Sequence, residues 1–202
     1  DNIDYIKNLG CTAIWLSPVF ENNPRSYHGY AIQNYLDVDK RWGTKKDLER
    51  LVDNAHKLDI RVFLDVVLHH SGDNWSYPFD YDYYYANGER FPLGDWREKD
   101  RPLPIELRDP ELYNRKGQIR NFDKYPETQE GDFLTLKTFR NDGSPESEKL
   151  GKLLAAIHCY WIRETDVDGF RLDAVKHMKG QDISRFCSSI REYAYSLGKR
   201  NF

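Results

Sequence analysis

A parallel β-sheet flanked by helices is the architecture this sequence predicts, and three observations carry that prediction. Helical and strand-like segments alternate along the chain. The strand segments are close to continuous apolar runs, as strands covered on both faces require. The charged residues that interrupt them, Asp65, Arg171 and Asp173, fall toward the strands' C-terminal ends.

Residues 3–9 read as a helix end, with Ile3, Ile6 and Leu9 on one side and Gly10 at the stop position. Cys11–Leu16 is a short apolar run closed by Ser17-Pro18, which predicts a buried strand. A long polar loop then carries Tyr27-His28-Gly29-Tyr30. Thr44-Lys45-Lys46-Asp47 opens the next helix like a capping box, and Leu48, Leu51, Val52, Ala55 and Leu58 form its apolar stripe. Ile60–Val67 is the following strand, interrupted by Asp65. From Leu68 to Asn141 periodicity disappears and turn signals such as Asn87-Gly88 dominate. A structureless loop of that length is uncommon, so a small inserted subdomain is expected there. Ser144-Pro145 starts a strong helix striped by Leu150, Leu153, Leu154, Ile157 and Trp161. A strand at 168–174 and a helix ending at Gly198 complete the order.

An α/β barrel and a doubly wound open sheet both fit that order. The polar residues favour the barrel, because barrel active sites form at strand C-terminal ends, whereas inward charges under the helices of an open sheet are costly. No phosphate-cradling glycine loop follows any strand. The expected fold is therefore a partial (β/α)8 TIM barrel, from about helix 1 to helix 4 with strands 2–4. Its parts would be a barrel portion over 1–70, an irregular subdomain over 71–143 after strand 3, and a second barrel portion over 144–202. The chain begins on Asp1 and its single Met is Met178, so it reads as a piece of a longer protein.

The net charge of −3 comes with evenly scattered Lys, Arg, Asp and Glu, which argues against nucleic acid as a partner. No apolar run is long enough for a membrane segment. Cys11, Cys159 and Cys187 lack CxxC spacing and sit in apolar segments, so they are expected to be buried free thiols. Free thiols favour a cytoplasmic setting, with a signal peptide left open. Among the 14 Tyr and 5 Trp, many fall between Ser71 and Phe139, as the small core of the insertion or as platforms for sugar rings.

The segment Asp168-Gly169-Phe170-Arg171-Leu172-Asp173-Ala174-Val175-Lys176-His177 carries the chemistry. Side chains alternate along a strand, so Phe170, Leu172 and Ala174 share one face and Arg171 and Asp173 the other. A cation beside a carboxylate favours its ionised form. An ionised, aimed carboxylate can attack a sugar carbon.

Residues 169–177 resemble the nucleophile strand of the α-amylase family of glycoside hydrolases (family 13). Asp65-Val66-Val67-Leu68-His69-His70 is similar to that family's third-strand motif, DxxxNH. Thr12–Pro18 resembles its second strand, and Tyr27–Tyr30 the loop after it. The resemblance implies that Asp173 is the nucleophile and that Arg171 orients it. Asp65 and His70 would bind the sugar at the cleaved bond and brace the arginine, and Asp65 reads first as the arginine's ion-pair partner. Tyr30 would be the aromatic platform with His28 beside it, and Lys176 and His177 would contact the leaving-group side. The implied substrate is an α-glucan or oligosaccharide, α-1,4-linked first, cleaved with retention.

His69 departs from the family, which has Asn there, often as a calcium ligand. An imidazole nitrogen is a poor ligand for Ca²⁺, so neither calcium nor any other cofactor is expected. The family's general-acid Glu belongs at the end of the fifth strand, beyond Phe202, and its third carboxylate after the seventh, so this piece alone would be inactive. Two alternatives stay open: a transglycosidase or isomerase on the same scaffold, and a non-catalytic relative that binds glycans or partners a transporter.

Overall fold

The computed structural model describes residues 2–79 and 84–202. Asp1, and Tyr81 and Tyr83 among the tyrosines between Ser71 and Phe139, lie outside the described residues. The chain opens with helix α1 (Ile3–Asn8), strand β1 (Ala13–Leu16), the pair β2 (Phe20–Asn22) and β3 (Ile32–Val38), helix α2 (Lys45–His56) and strand β4 (Arg61–Val66). A short strand β5 (His70–Ser71) leads into irregular chain containing 3-10 turns, helix α3 (Glu127–Glu130) and strand β6 (Lys137–Thr138). Helix α4 (Pro145–Thr165), strand β7 (Gly169–Leu172) and helix α5 (Gly180–Ser196) follow.

β1, β4 and β7 form a parallel sheet in that order. The register places Trp15 beside Phe63, Phe63 beside Gly169, and Asp65 beside Arg171. Alternation then sends Val62, Leu64 and Val66 to the helix side, where all three are fully buried. Each such side chain contributes roughly 1.5–3 kcal/mol relative to exposure. Trp15, Phe63, Asp65 and Arg171 leave the sheet on the opposite side.

The helices form where their local signals lie. Thr44 caps α2 in a complete capping box with Asp47, and Ser144 caps α4 with Pro145 in its first turn. Leu150, Leu154, Ile157 and Trp161 bury the inner face of α4, and the Trp161 indole N–H donates to the Tyr35 carbonyl at 2.7 Å. Phe186, Ile190 and Ala194 do the same for α5.

Several expectations need correction. Among the described residues β1 is not a buried strand: it pairs with β4 alone, and Trp15 is 54% exposed. Leu9 is exposed at the end of α1 rather than sharing the packing of Ile3 and Ile6. The cysteines are free, but Cys11 is exposed in the turn before β1, and Cys159 and Cys187 are only half-buried. The polar loop after β1 contains the antiparallel pair β2–β3. Side chains hold it: Asn22 donates to the Phe20 and Gly29 carbonyls at 2.9 and 2.7 Å and accepts from the Ala31 N–H at 2.8 Å.

In the irregular segment, Trp75, Tyr77 and Tyr113 are buried together, with Trp75 packed edge-on against both other rings. These aromatics serve as core. Among the described residues, no helix is long and apolar enough to cross a membrane.

The close approach of β4 and β7 generates a prediction. A Cβ on Gly169 would lie 2.4 Å from Cε1 of the Phe63 ring. Gly169→Ala should therefore cost roughly 1–3 kcal/mol in denaturant unfolding. Phe63→Leu in the same chain should recover part of that loss; equal costs with and without Phe63 would contradict the contact.

Candidate active site

Asp65 lies near the C-terminal end of β4 and is fully buried. An unpaired carboxylate there would cost several kcal/mol. Arg171 Nη1 donates to both of its oxygens, at 3.1 Å each, and the Tyr30 hydroxyl donates to Oδ2 at 3.1 Å. Burial raises the Asp65 pKa above the ordinary value, and the bonds from Arg171 and Tyr30 partly offset it.

The same Nη1 donates to Asp173 Oδ1 at 2.7 Å. One guanidinium nitrogen thus bridges two carboxylates that come from neighbouring strands. Asp173 itself is fixed by its backbone N–H, which donates to the Val66 carbonyl at 2.9 Å, one rung past the end of β7. The next residue, Ala174, adopts a left-handed conformation at φ 55°, ψ 25°. That conformation costs a non-glycine residue roughly 1–2 kcal/mol, and it turns the chain sharply away into the 3-10 turn Val175–His177.

Tyr30 and His28 come from the connection between β2 and β3. The Tyr30 N–H donates to His28 Nδ1 at 3.0 Å, so in the neutral ring the proton sits on Nε2, 2.9 Å from Ser26 Oγ. The two rings lie nearly parallel, with centroids 5.9 Å apart. Burial, then Asp65, pushes the Tyr30 hydroxyl pKa upward, keeping it a donor.

His70 is held by the pairing of β5 with β6, and its carbonyl accepts from the Tyr35 hydroxyl at 3.1 Å. Burial lowers its pKa to about 4, although Asp173 and the Tyr30 carbonyl nearby favour the proton. The ring is therefore neutral at pH 7.

The structure brings Asp65, Arg171, Asp173, Tyr30, His28 and His70 together. Lys176 and His177 are placed differently. Lys176 is exposed and paired with Asp123. His177 is buried, and its Nδ1 lies 2.9 Å from Thr128 Oγ1 and 2.7 Å from the Thr128 carbonyl oxygen. Its ring packs on Phe133 at 4.4 Å. His177 joins the turn after β7 to α3, and does not present its ring to the cluster in this conformation.

His69 belongs to the same buried group. Its Nδ1 is 3.2 Å from His70 Nδ1, and its ring packs against Phe133 at 4.7 Å. Burial, reinforced by His70 and His177, holds its pKa well below 6.5. This is a neutral nitrogen donor in an aromatic setting, and it does not fit an oxygen-seeking cation such as Ca²⁺.

One residue of the site was not singled out from sequence. The Trp15 ring centroid is 5.1 Å from Arg171 Cζ. The parity of the strand register could have found it, because Trp15 shares the face of Asp65 and Arg171. A cleft of about 490 Å³ lies between the N-terminal halves of α4 and α5; His69 lines it, and Asp173 does not.

An arginine-fixed carboxylate with an aromatic ring and a neutral imidazole beside it suits nucleophilic attack on a hydroxylated carbon. Known proteins resemble the chain throughout. The model of the α-amylase catalytic domain matches residues 1–192. An α-amylase from Streptomyces lividans is 30% identical over all of this chain and 26% of its own length. A cyclomaltodextrinase from a Bacillus species is 33% identical over 98% of this chain and 32% of its own. Among solved structures, an α-amylase from Geobacillus thermoleovorans complexed with acarbose superimposes with a TM-score of 0.75 at 30% identity, covering all of this chain and 38% of that one. An Anoxybacillus α-amylase gives 0.76 at 31%, over all of this chain and 37% of that one. The chain thus spans about a third or less of the length of these curated relatives.

The titration of His70 provides a check. In the unfolded chain its ring takes a proton near pH 6.5, and in the folded chain near 4. The native state therefore binds fewer protons between those values, and stability declines as pH falls through that window, by up to about 3 kcal/mol from this residue. Nitrogen-15 spectra of the ring should show it neutral at pH 5.5. A midpoint near 6.5 would contradict the burial assigned to it.

Proposed function

The chain belongs to the α-amylase catalytic-domain family, and on that premise we propose that it carries the nucleophile-bearing part of a retaining glycosidase. The bonds attacked are α-glucosidic, with α-1,4-linked glucans and maltooligosaccharides as the first substrates. The observation that carries this reading is the bridge at Arg171 Nη1, which ties Asp173 at 2.7 Å to the buried Asp65.

In this reading an Asp173 oxygen attacks the anomeric carbon while a protonated carboxyl group protonates the departing glycosidic oxygen. The anomeric carbon–oxygen bond breaks as the Asp173 ester forms. Water then attacks the anomeric carbon of that ester, the former acid accepting its proton as the bond to Asp173 breaks and frees the carboxylate, and the two inversions give net retention. Glu164 and Glu192 sit on α4 and α5, and we assign the acid, as the family resemblance implies, to a glutamate at the end of the barrel's fifth strand. Residues 71–143 are taken as an inserted subdomain that walls the site.

Arg171 holds Asp173 in its attacking orientation and supports its charge. Tyr30 offers its ring face to the sugar while its hydroxyl is spent on Asp65. His70, neutral and beside Asp173, donates to or accepts from sugar hydroxyls, and His28 extends the Tyr30 platform. Lys176 can reach the leaving-group side by exchanging Asp123 for substrate. His177 acts through the fold, by fixing the turn that follows Asp173. The junction around His69 works without calcium, because a buried neutral imidazole occupies the ligand position.

Two measurements test this. Asp173→Asn in the intact protein should lower kcat on maltooligosaccharides by roughly 10³-fold or more; near-normal turnover would refute the assignment. The Tm should be the same in calcium and in chelator, and a rise of several degrees on adding Ca²⁺ would overturn the metal-free junction.

A further inference from the structure

Arg171 is fixed to its carboxylates at one end only. All three of its hydrogen bonds to Asp65 and Asp173 leave from Nη1, and its side chain is 42% exposed. A guanidinium pinned through a single nitrogen keeps both carboxylates bonded only if something restrains its plane. The register supplies that restraint. Trp15 and Arg171 project from the same face of the sheet, on the two strands that flank β4, and Cζ of Arg171 lies over the indole at 5.1 Å. That distance is within the range of a cation–π contact, in which an aromatic face attracts a guanidinium.

Ile14 and Leu16, its neighbours on β1, point to the helix side and pack against the core, while the Trp15 indole lies on the face that carries Asp65 and Arg171. We infer that Trp15 is a positioning residue for the proposed reaction: its ring face holds the Arg171 guanidinium in the orientation from which Nη1 reaches Asp65 and Asp173 together. Trp15 touches neither substrate nor the reacting oxygen in this role. It acts through Arg171 on the aim of the Asp173 carboxylate.

This rests on Asp173 being the nucleophile, and the test separates the two. In the intact protein, Trp15→Phe keeps an aromatic face and Trp15→Leu removes it, with Asp173→Asn as the reference for the site itself. On a maltooligosaccharide, Trp15→Leu should lose about tenfold in kcat with KM within twofold, while Trp15→Phe stays within about threefold of wild type. Tm is measured for each variant, and because Phe and Leu both give up the indole's volume, the difference in kcat between those two carries the test. Trp15→Met serves if the Leu variant does not fold, since its flexible, unbranched side chain adapts to the space with no ring. If Asp173→Asn abolishes turnover but the Leu variant works like wild type, or if Phe and Leu lose equally, the inference is overturned and the nucleophile stands. If Asp173→Asn retains turnover, the site assignment falls, and this inference with it.

Discussion

A buried carboxylate needs a cation, and here one cation serves two carboxylates. Asp65 has no exposed surface, so it persists as an anion only because Arg171 and Tyr30 meet it. That requirement fixes Arg171 in register beside it on the adjacent strand, and the same nitrogen then holds Asp173 two residues further on. The geometry depends on parallel strands brought close at Gly169, where the Phe63 ring occupies the space a side chain would take. Structural ion pair and functional carboxylate are one network, so weakening the first disturbs the aim of the second.

The surroundings of that network come from the short β2–β3 pair and from irregular chain. The β2–β3 pair is stabilised by buried polar side chains: Asn22 bonds three backbone groups around the Tyr30 turn, and Asp39 accepts from the Asn22 N–H and from Arg41. Arg41 holds the Asp39 carboxyl down to about 2, so this tie persists across ordinary pH. On the other side, His69, His177 and Phe133 pack as a buried aromatic group linking the end of β4 to α3 and the turn after β7. The neutral His69 imidazole suits that role because it packs there without carrying charge into the interior.

The helices and strands that hold the site are legible from sequence because their signals are local. The Thr44–Asp47 box, Ser144-Pro145 and the stripes of α2 and α4 each lie within a few residues of what they specify. The Asp65–Arg171–Asp173 cluster is legible too, since strand parity and position toward the strand ends need no knowledge of neighbours. What sequence conceals is tertiary. The β2–β3 pair shows no alternating apolar pattern, its polar residues being satisfied by distant backbone. β1 reads as buried from its composition, yet its exposure depends on which edges of the sheet are covered. The family resemblance makes His177 a ligand-facing residue, and the packing of Thr128 and Phe133 turns it inward. Trp15 gains its role from a strand two positions away in the sheet.

The most direct test is to trap the covalent intermediate. The intact protein would be reacted with a fluorinated α-glucosyl substrate whose ester hydrolyses slowly, then digested and mapped by mass spectrometry. One sugar residue attached to Asp173 is the predicted result. A label on a different carboxylate, or turnover that leaves no adduct and inverts the anomeric configuration, would contradict the role given to Asp173 and to the arginine that holds it.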